Sequence, residues 1–424
     1  MKTNAKPGDY VEVHLTKLIY EGVLLDSSEK GIILLKLNSG YNIGFNKKDV
    51  HEIKILEKEG SEQEKKLELK KESGKPSIAM IITGGTIASR LNPKTGGVSP
   101  LTSPEELFKF YPGVFDKVNV VKIEVPFMKA SEDMDYKDWQ KLARVTEKLL
   151  NDSNIKGVII THGTDTLHYT SAALSFFLRN LNKPVVLTYS QRSIDRASSD
   201  ANLNLQCSAL VAISDIAEVM LVGHASSNDD FCYAMPGTKV RKMHTSKRDA
   251  FKIVNSKPIA KIYLDKIIKE SDYNVRNTGK VKLDLKFEDK IALIKIYPGQ
   301  NPDILDYYVR KKYKGIVLEV FGLGHVATKS GMSWIKKIKE VQSKGIIICA
   351  ASQTIYGRLN PLVYSNGREL LKTGIIFLED MLSETALAKL GWVLGHEEWV
   401  KNKEIVKEMM LTNFSNEFNG RLEE

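Results

Sequence analysis

The stretch Ile78-Ala79-Met80-Ile81-Ile82-Thr83-Gly84-Gly85-Thr86-Ile87-Ala88-Ser89 decides how this chain is read. Its apolar run is short for a helix and reads as a strand buried on both faces. Two glycines permit a sharp turn, and hydroxyl residues follow. The pattern returns at Gly157-Val158-Ile159-Ile160-Thr161-His162-Gly163-Thr164-Asp165-Thr166. In an open parallel sheet, the loops leaving strand C-termini converge on one crevice. Thr86, Thr164 and Asp165 are therefore expected to face one pocket. Hydroxyls beside a carboxylate, on turns that let a substrate approach the backbone, point to nucleophilic chemistry.

Further strand-like runs lie at 120–125, 185–189 and 218–222, with amphipathic stretches at 136–150 and 166–180 between them. Strands alternating with helices predict a doubly wound α/β catalytic domain over 77–270. A polar stretch, 255–289, leads into a second α/β domain over 285–424, with strands at 291–296, 315–320 and 345–350. Parallel sheets are expected in both. Residues 1–56 read differently. Tyr10-Val11-Glu12-Val13-His14-Leu15 alternates with period two, further short strands follow, and Asn38-Ser39-Gly40 marks a hairpin. That density of short strands predicts a small SH3-like β-barrel. Residues 57–76 are charged, lack core side chains and read as a linker.

A length of 424 residues suits two or three domains with real cores. No run is long enough to span a bilayer, and the N-terminus has no apolar segment of the secretory kind. Cys207, Cys232 and Cys349 are scattered and form no metal-ligand spacing, so a reducing cytosol and no metal are expected. The formal charge of +10 admits two readings. One is a solvated Lys/Glu surface of the kind common in hot-adapted proteins. The other is an electrostatic attraction for phosphate-rich partners.

The first motif lacks the Gly-Lys-Ser/Thr ending of a P-loop, so a nucleotide-phosphate cradle is disfavoured. His162 stands at a strand end with no second histidine or cysteine at ligand spacing, so it reads as a hydrogen-bonded supporting residue rather than a zinc ligand.

The two motifs, in this order and each at a strand end, resemble those of the L-asparaginase family. That resemblance implies two catalytic threonines, Thr86 as the nucleophile and Thr164 with Asp165 from the second motif, while the residues themselves leave open which threonine attacks first. It also implies a lysine ahead of a Ser/Thr-Lys-Arg-Asp-Ala-Phe stretch. Arg241-Lys242-Met243-His244-Thr245-Ser246-Lys247-Arg248-Asp249-Ala250-Phe251 matches, making Lys242 the candidate. A lysine facing a hydroxyl in a closed pocket can act as a base. Thr164, Lys242 and Asp165 are then expected to form a relay: Thr164 near the reacting carbon or its water, Lys242 taking the proton, Asp165 holding the ammonium or the substrate amine. The same likeness makes Ser131 a donor to the substrate α-carboxylate and Glu132 an acceptor for its α-amine. Ser131 or Asp133 also reads as an N-cap for the helix starting at Tyr136.

Two departures stand out. Asparaginases usually carry a tyrosine on the mobile loop after the first motif. Here there is none between Ile87 and Phe110, and Thr95 is the hydroxyl nearest the loop tip and the candidate substrate contact. Where secreted asparaginases tend to have Gly-x-Gly-Asn-Gly, this chain has Gly322-Leu323-Gly324-His325-Val326. The barrel, the charged linker, and the stretches Gln353-Thr354-Ile355-Tyr356-Gly357-Arg358-Leu359-Asn360 and Val363-Tyr364-Ser365-Asn366-Gly367-Arg368 resemble the D subunits of archaeal glutamyl-tRNA(Gln) amidotransferases. This implies a homodimer joined by two copies of the amidotransferase E subunit, which binds tRNA(Gln). It also implies hydrolysis of glutamine or asparagine for ammonia. No cofactor is expected in this chain, ATP and Mg²⁺ being used through the partner. A stand-alone L-asparaginase and a non-enzymatic scaffold are the competing readings.

Overall fold

The computed structural model describes residues 3–27, 30–37, 42–58, 72–91, 98–100, 115–196, 198–329 and 331–420. Near the N-terminus, β1 (Tyr10–Leu15), β2 (Ile19–Leu25), β3 (Ile32–Leu37), β4 (Asn42–Asn46) and β5 (Val50–Glu57) form an antiparallel sheet in the order β4-β3-β2-β1-β5. Alternate side chains, Val11, Val13, Leu24, Ile33, Leu35 and Phe45, meet in one small core. The expected hairpin turn at Asn38-Ser39-Gly40 and most of the charged linker lie outside the described residues.

The large sheet begins with β6 (Ser77–Ile82), followed by a short ribbon of β7 (Ser89–Leu91) and β8 (Val98–Pro100) and then by β9 (Asn119–Glu124). It continues through β10 (Val158–Thr161), β12 (Val185–Thr188), β13 (Val219–His224) and β14 (Cys232–Pro236), with β11 (Leu178–Arg179) outside it. β15 (Val240–Lys242) and β16 (Phe251–Ile253) make a separate ribbon, and β17 (Ala260–Ile262) and β18 (Ile267–Lys269) complete the sheet. Its order is β18-β17-β14-β13-β12-β10-β6-β9. The pairs from β9 to β13 are parallel, while β14, β17 and β18 add antiparallel. The sheet is thus mixed: short loops join β13 to β14 and β17 to β18, and the connection from β14 to β17 carries the β15–β16 ribbon rather than a crossover helix. The polar stretch after residue 255 supplies two of those added strands.

Period-two alternation explains the burial of both faces. Ala79, Ile81, Val158, Ile160, Val185 and Leu187 point into one core with the helices Tyr136–Leu150, Leu167–Phe177 and Ser383–Leu394. Ile78, Met80, Ile159 and Val186 point into the other, against helix Ala201–Ala212. Each such valine, leucine, isoleucine or methionine contributes about 1.5–3 kcal/mol by leaving water.

The chain then pairs β19 (Lys282–Leu283) with β11 and builds a parallel sheet of β20 (Ile291–Lys295), β21 (Gly315–Val320), β22 (Ile347–Ser352) and β23 (Ile376–Phe377) in sequential order. One face of that sheet has its own core around Trp334 and Ile338. The other contributes Val317, Cys349 and Ala351 to the core shared with the large sheet. Helix Ser383–Leu394 lies between the two sheets and is buried along almost all its length. Its Lys389 has a fully buried ammonium, 2.6 Å from Glu417 Oε1 and donating to the carbonyls of Met410 and Thr412. Among the described residues no helix is long and apolar enough to cross a membrane.

Removing one member of a buried ion pair strands the other charge. Lys389→Met is expected to destabilise the fold by about 3–5 kcal/mol. The companion Lys389→Met/Glu417→Gln, with the charge gone, regains part of that loss. Denaturant unfolding of both variants beside the wild type measures it.

Candidate active site

β6 and β10 are neighbours, so the loops at their C-termini start side by side. Thr83 ties them, its backbone N–H and its hydroxyl both donating to the Thr161 carbonyl at 3.2 and 2.8 Å. Gly84 and Gly85 follow at φ values of 113° and 80°, a region L side chains avoid. Space is as decisive as conformation. A Cβ on Gly85 would lie 2.4 Å from Gly163 Cα, and one on Gly163 would lie 2.8 Å from Ser131 Oγ. Three loops therefore touch through backbone and one small side chain. This contact brings together the loops that carry Thr86, Thr164 and Ser131.

Thr86 opens a 3-10 turn, Thr86–Ala88, and is half-buried. Its hydroxyl has no hydrogen-bond partner among the described residues. Ser89 Oγ donates to the Gly85 carbonyl at 2.8 Å and pins the turn. Lys242 reaches the crevice from the end of β15. Its Nζ donates to Thr164 Oγ1 at 2.8 Å and to Asp165 Oδ1 at 2.7 Å. The Lys242 side chain is 13% exposed and that of Asp165 61%, so the pair runs from the buried hydroxyl out to solvent. A hydroxyl, an amine and a carboxylate in hydrogen-bonding sequence can carry a proton away from a reacting oxygen.

Ser131 is buried, and its carbonyl accepts from Thr166 Oγ1 at 2.7 Å. It does not cap the helix. The cap of Tyr136–Leu150 is Asp135, in a reciprocal capping box with Asp138, which leaves the Ser131 hydroxyl free for the crevice. Asp133 likewise lies in the preceding turn, Ser131–Asp133. Glu132 is exposed beside it. Thr95 lies outside the described residues.

His162 is fully buried. Its Nδ1–H donates to the Gly163 carbonyl at 2.7 Å, so Nε2 accepts from the Thr170 hydroxyl at 3.0 Å. Burial pushes its pKa down to about 4 despite the carbonyl contact, so the ring braces the glycine turn as a neutral imidazole. His168, two residues past Thr166, is depressed to about 3 by burial and then by the Arg241 and Lys242 cations. Sequence reasoning passed over His168, Arg241 and Glu384, which meet here: Arg241 Nε is 3.1 Å from Glu384 Oε1, and His168 Nε2 is 3.9 Å from it. Nothing local marks that grouping, since Glu384 comes from the second domain. No cluster of three metal-ligating side chains occurs among the described residues. A cleft of about 1180 Å³ opens at the other end of the strands, against Glu218, Tyr273 and Phe414, and includes none of the candidate residues. Strand-end geometry, rather than cavity size, therefore marks the site.

The two histidines predict acid sensitivity. In the unfolded chain they take up protons near pH 6.5, but in the fold only near 4 and 3. Between those values the unfolded state binds more protons. The stability they contribute is fully present above about pH 6.5 and is lost as pH falls towards the folded values. Unfolding midpoints measured from pH 7 to 4 are expected to fall, and His168→Gln is expected to flatten part of that decline.

Comparison with known proteins places this geometry. A model of the N-terminal asparaginase domain matches residues 77–274, one of the glutaminase/asparaginase C-terminal domain matches 290–410, and the GatD N-terminal domain matches 5–56. The glutamyl-tRNA(Gln) amidotransferase D subunit of Pyrococcus furiosus is 48% identical over 97% of this chain and 94% of its own. That of Sulfolobus acidocaldarius is 40% identical over 99% and 93%. Among solved structures, the thermostable L-asparaginase from Thermococcus kodakarensis superposes with a TM-score of 0.71 at 29% identity, covering 81% of this chain and all of that one. L-asparaginase I from Vibrio cholerae gives 0.67 at 26%, covering 81% and 99%. These asparaginases leave about a fifth of the chain uncovered, whereas the amidotransferase D subunits run nearly its full length. The chain belongs to the D-subunit family of glutamyl-tRNA(Gln) amidotransferases.

Proposed function

We propose that this chain is the amidase component of a glutamyl-tRNA(Gln) amidotransferase, hydrolysing glutamine to supply ammonia for making Gln-tRNA(Gln). The observation that carries the chemistry is the Lys242 Nζ, 2.8 Å from Thr164 Oγ1 and 2.7 Å from Asp165 Oδ1, in the crevice that Thr86 shares. Thr86 Oγ1 attacks the carboxamide carbon, and its proton passes through Thr164 and Lys242 to the leaving nitrogen. The C–N bond breaks, ammonia departs, and an ester to Thr86 remains. Water then attacks that ester, with the same pair taking its proton, and glutamate leaves. Splitting the reaction this way suits a carboxamide, which resists direct attack by water. Ser131 binds the α-carboxylate and Glu132 the α-amine, and Thr95 is assigned a further substrate contact.

Ammonia is consumed elsewhere in the assembly. We assign activation of Glu-tRNA(Gln), with ATP and Mg²⁺, to a partner E subunit, two copies of which sit on a homodimer of this chain. The first motif lacks a P-loop ending, in keeping with that division. The three cysteines are buried free thiols, which suits a reducing cytosol. The likeness to L-asparaginases keeps stand-alone asparagine hydrolysis as the competing activity.

Thr86→Val keeps the shape and deletes the hydroxyl, and is expected to lower kcat by about 10⁴-fold or more, the scale of losing a nucleophile. Wild-type-like glutamine hydrolysis by that variant would remove Thr86 from the chemistry. Glu132→Lys sets an ammonium against the substrate α-amine and is expected to raise the half-saturating glutamine concentration sharply. An unchanged value takes Glu132 out of the pocket.

Ammonia release is expected to depend on partners, because the loop lacks the tyrosine by which asparaginases close the site. Steady-state release is measured for the chain alone, with the E subunit, and with Glu-tRNA(Gln) added. The last step is expected to raise the rate by at least about tenfold, or about 1.4 kcal/mol of barrier. Equal rates, with fast asparagine turnover by the chain alone, favour the stand-alone asparaginase.

A further inference from the structure

Lys242 sits on a strand that the second domain grips. In β15 (Val240–Lys242) successive side chains point to opposite sides, and the turn before it brings in Lys239. Val240 is buried and Lys242 reaches Thr164 and Asp165. Lys239 and Arg241, one position out of phase, reach the second domain instead. Lys239 Nζ is 2.7 Å from Asp380 Oδ2 and donates to the Asp380 carbonyl at 3.2 Å, with both side chains fully buried. Arg241 Nε is 3.1 Å from Glu384 Oε1, the Glu384 side chain being 6% exposed. Thr385 Oγ1 donates to the Thr238 carbonyl at 2.8 Å, a third contact on the same segment.

The acidic groups stand on a stiff mount. Asp380 lies just after β23, and Glu384 is in the first turn of Ser383–Leu394, the helix packed between the two sheets. The strand they hold is otherwise anchored through its ribbon partner, with the Met243 N–H donating to the Ala250 carbonyl and the Val254 N–H to the Lys239 carbonyl at its two ends. β15 spans three residues and pairs only with β16 among the described residues. A short ribbon sets the direction of a long lysine side chain poorly, and charge-assisted contacts on either side of it supply the missing constraint.

We infer that Glu384 and Asp380 are positioning residues for Lys242, fixing β15 so that the Lys242 ammonium meets the Thr164 hydroxyl. Neither touches the reacting groups; each acts through the strand. The inference rests on the reading that Lys242 moves the proton.

The test uses the full chain assembled with its partner, with kcat and KM for glutamine measured separately. Glu384→Ala is expected to lower kcat by about tenfold or more while moving KM less than about threefold, since substrate contacts are untouched. Glu384→Gln, which keeps an acceptor for Arg241, is expected to recover most of the rate. Glu384→Ala added to Lys242→Met is expected to cost nothing further, as two changes acting through one group are non-additive. Should Glu384→Ala fail to fold, Arg241→Gln breaks the same contact from the more exposed side and carries the same expectations. The inference is overturned if these variants keep the wild-type kcat, lose only KM, or slow the Lys242→Met background by their full factor. A Lys242→Met variant with wild-type turnover would instead overturn the role of Lys242, and this inference with it.

Discussion

The site depends on one steric fact: Gly85 packs on Gly163, and Gly163 on Ser131, so closely that neither glycine can carry a side chain. Two strand ends that are neighbours in a sheet stand about 4.8 Å apart, and ordinary side chains would splay the loops that leave them. With two glycines, the loops stay in backbone contact for one residue longer. The loops carrying Thr86 and Thr164 then leave the sheet together, and Ser131 fits against Gly163 from the third loop. The Thr83 bonds to the Thr161 carbonyl and the neutral His162 beneath Gly163 hold that contact from behind. A protonated imidazole would bring an uncompensated charge into this dry layer, which is why its depressed pKa matters to the architecture.

The second domain does more than add mass to the first. Its helix Ser383–Leu394 closes the core under the large sheet, so the hydrophobic layer is continuous from β10 to β22. A buried charge pair marks a place where the two halves lock, Lys239 with Asp380, while Lys389 with Glu417 ties the second domain to itself. Such pairs contribute little net stability over apolar residues of the same size, but they tolerate only one register. Both lysines have their pKa pulled down by burial and held up by the facing carboxylate. The Lys239–Asp380 lock sits on the segment that leads into Lys242, so the placement of the proposed base and the packing of the two domains share that segment.

Much was legible from sequence alone. The runs 78–82 and 157–160 became β6 and β10, and the amphipathic stretch 136–150 became the helix Tyr136–Leu150, because strand and helix periodicities are local properties. The glycine-threonine turns announced loops at strand ends, and the first strand of the N-terminal sheet followed from its alternation. Other readings needed the structure. Ser131 and Asp133 looked like equal candidates for the helix cap, yet Asp135 takes that role, since cap choice turns on backbone angles a residue list does not contain. The antiparallel strands β17 and β18 hid in a stretch that looked merely polar, being short and at a sheet edge.

What the sequence by itself determined was the order of strands and turns and the residues standing at each strand end. Those follow from side-chain periodicity and from the backbone freedom of glycine, which act over a few positions. Which charges meet was decided only in three dimensions. Lys242 and Thr164 are 78 positions apart, and Lys239 and Asp380 are 141 apart. No spacing rule links such residues. Their pairing follows from the path of the chain around two packed sheets, and only that packing brings an acidic helix start against the back of the strand that carries Lys242.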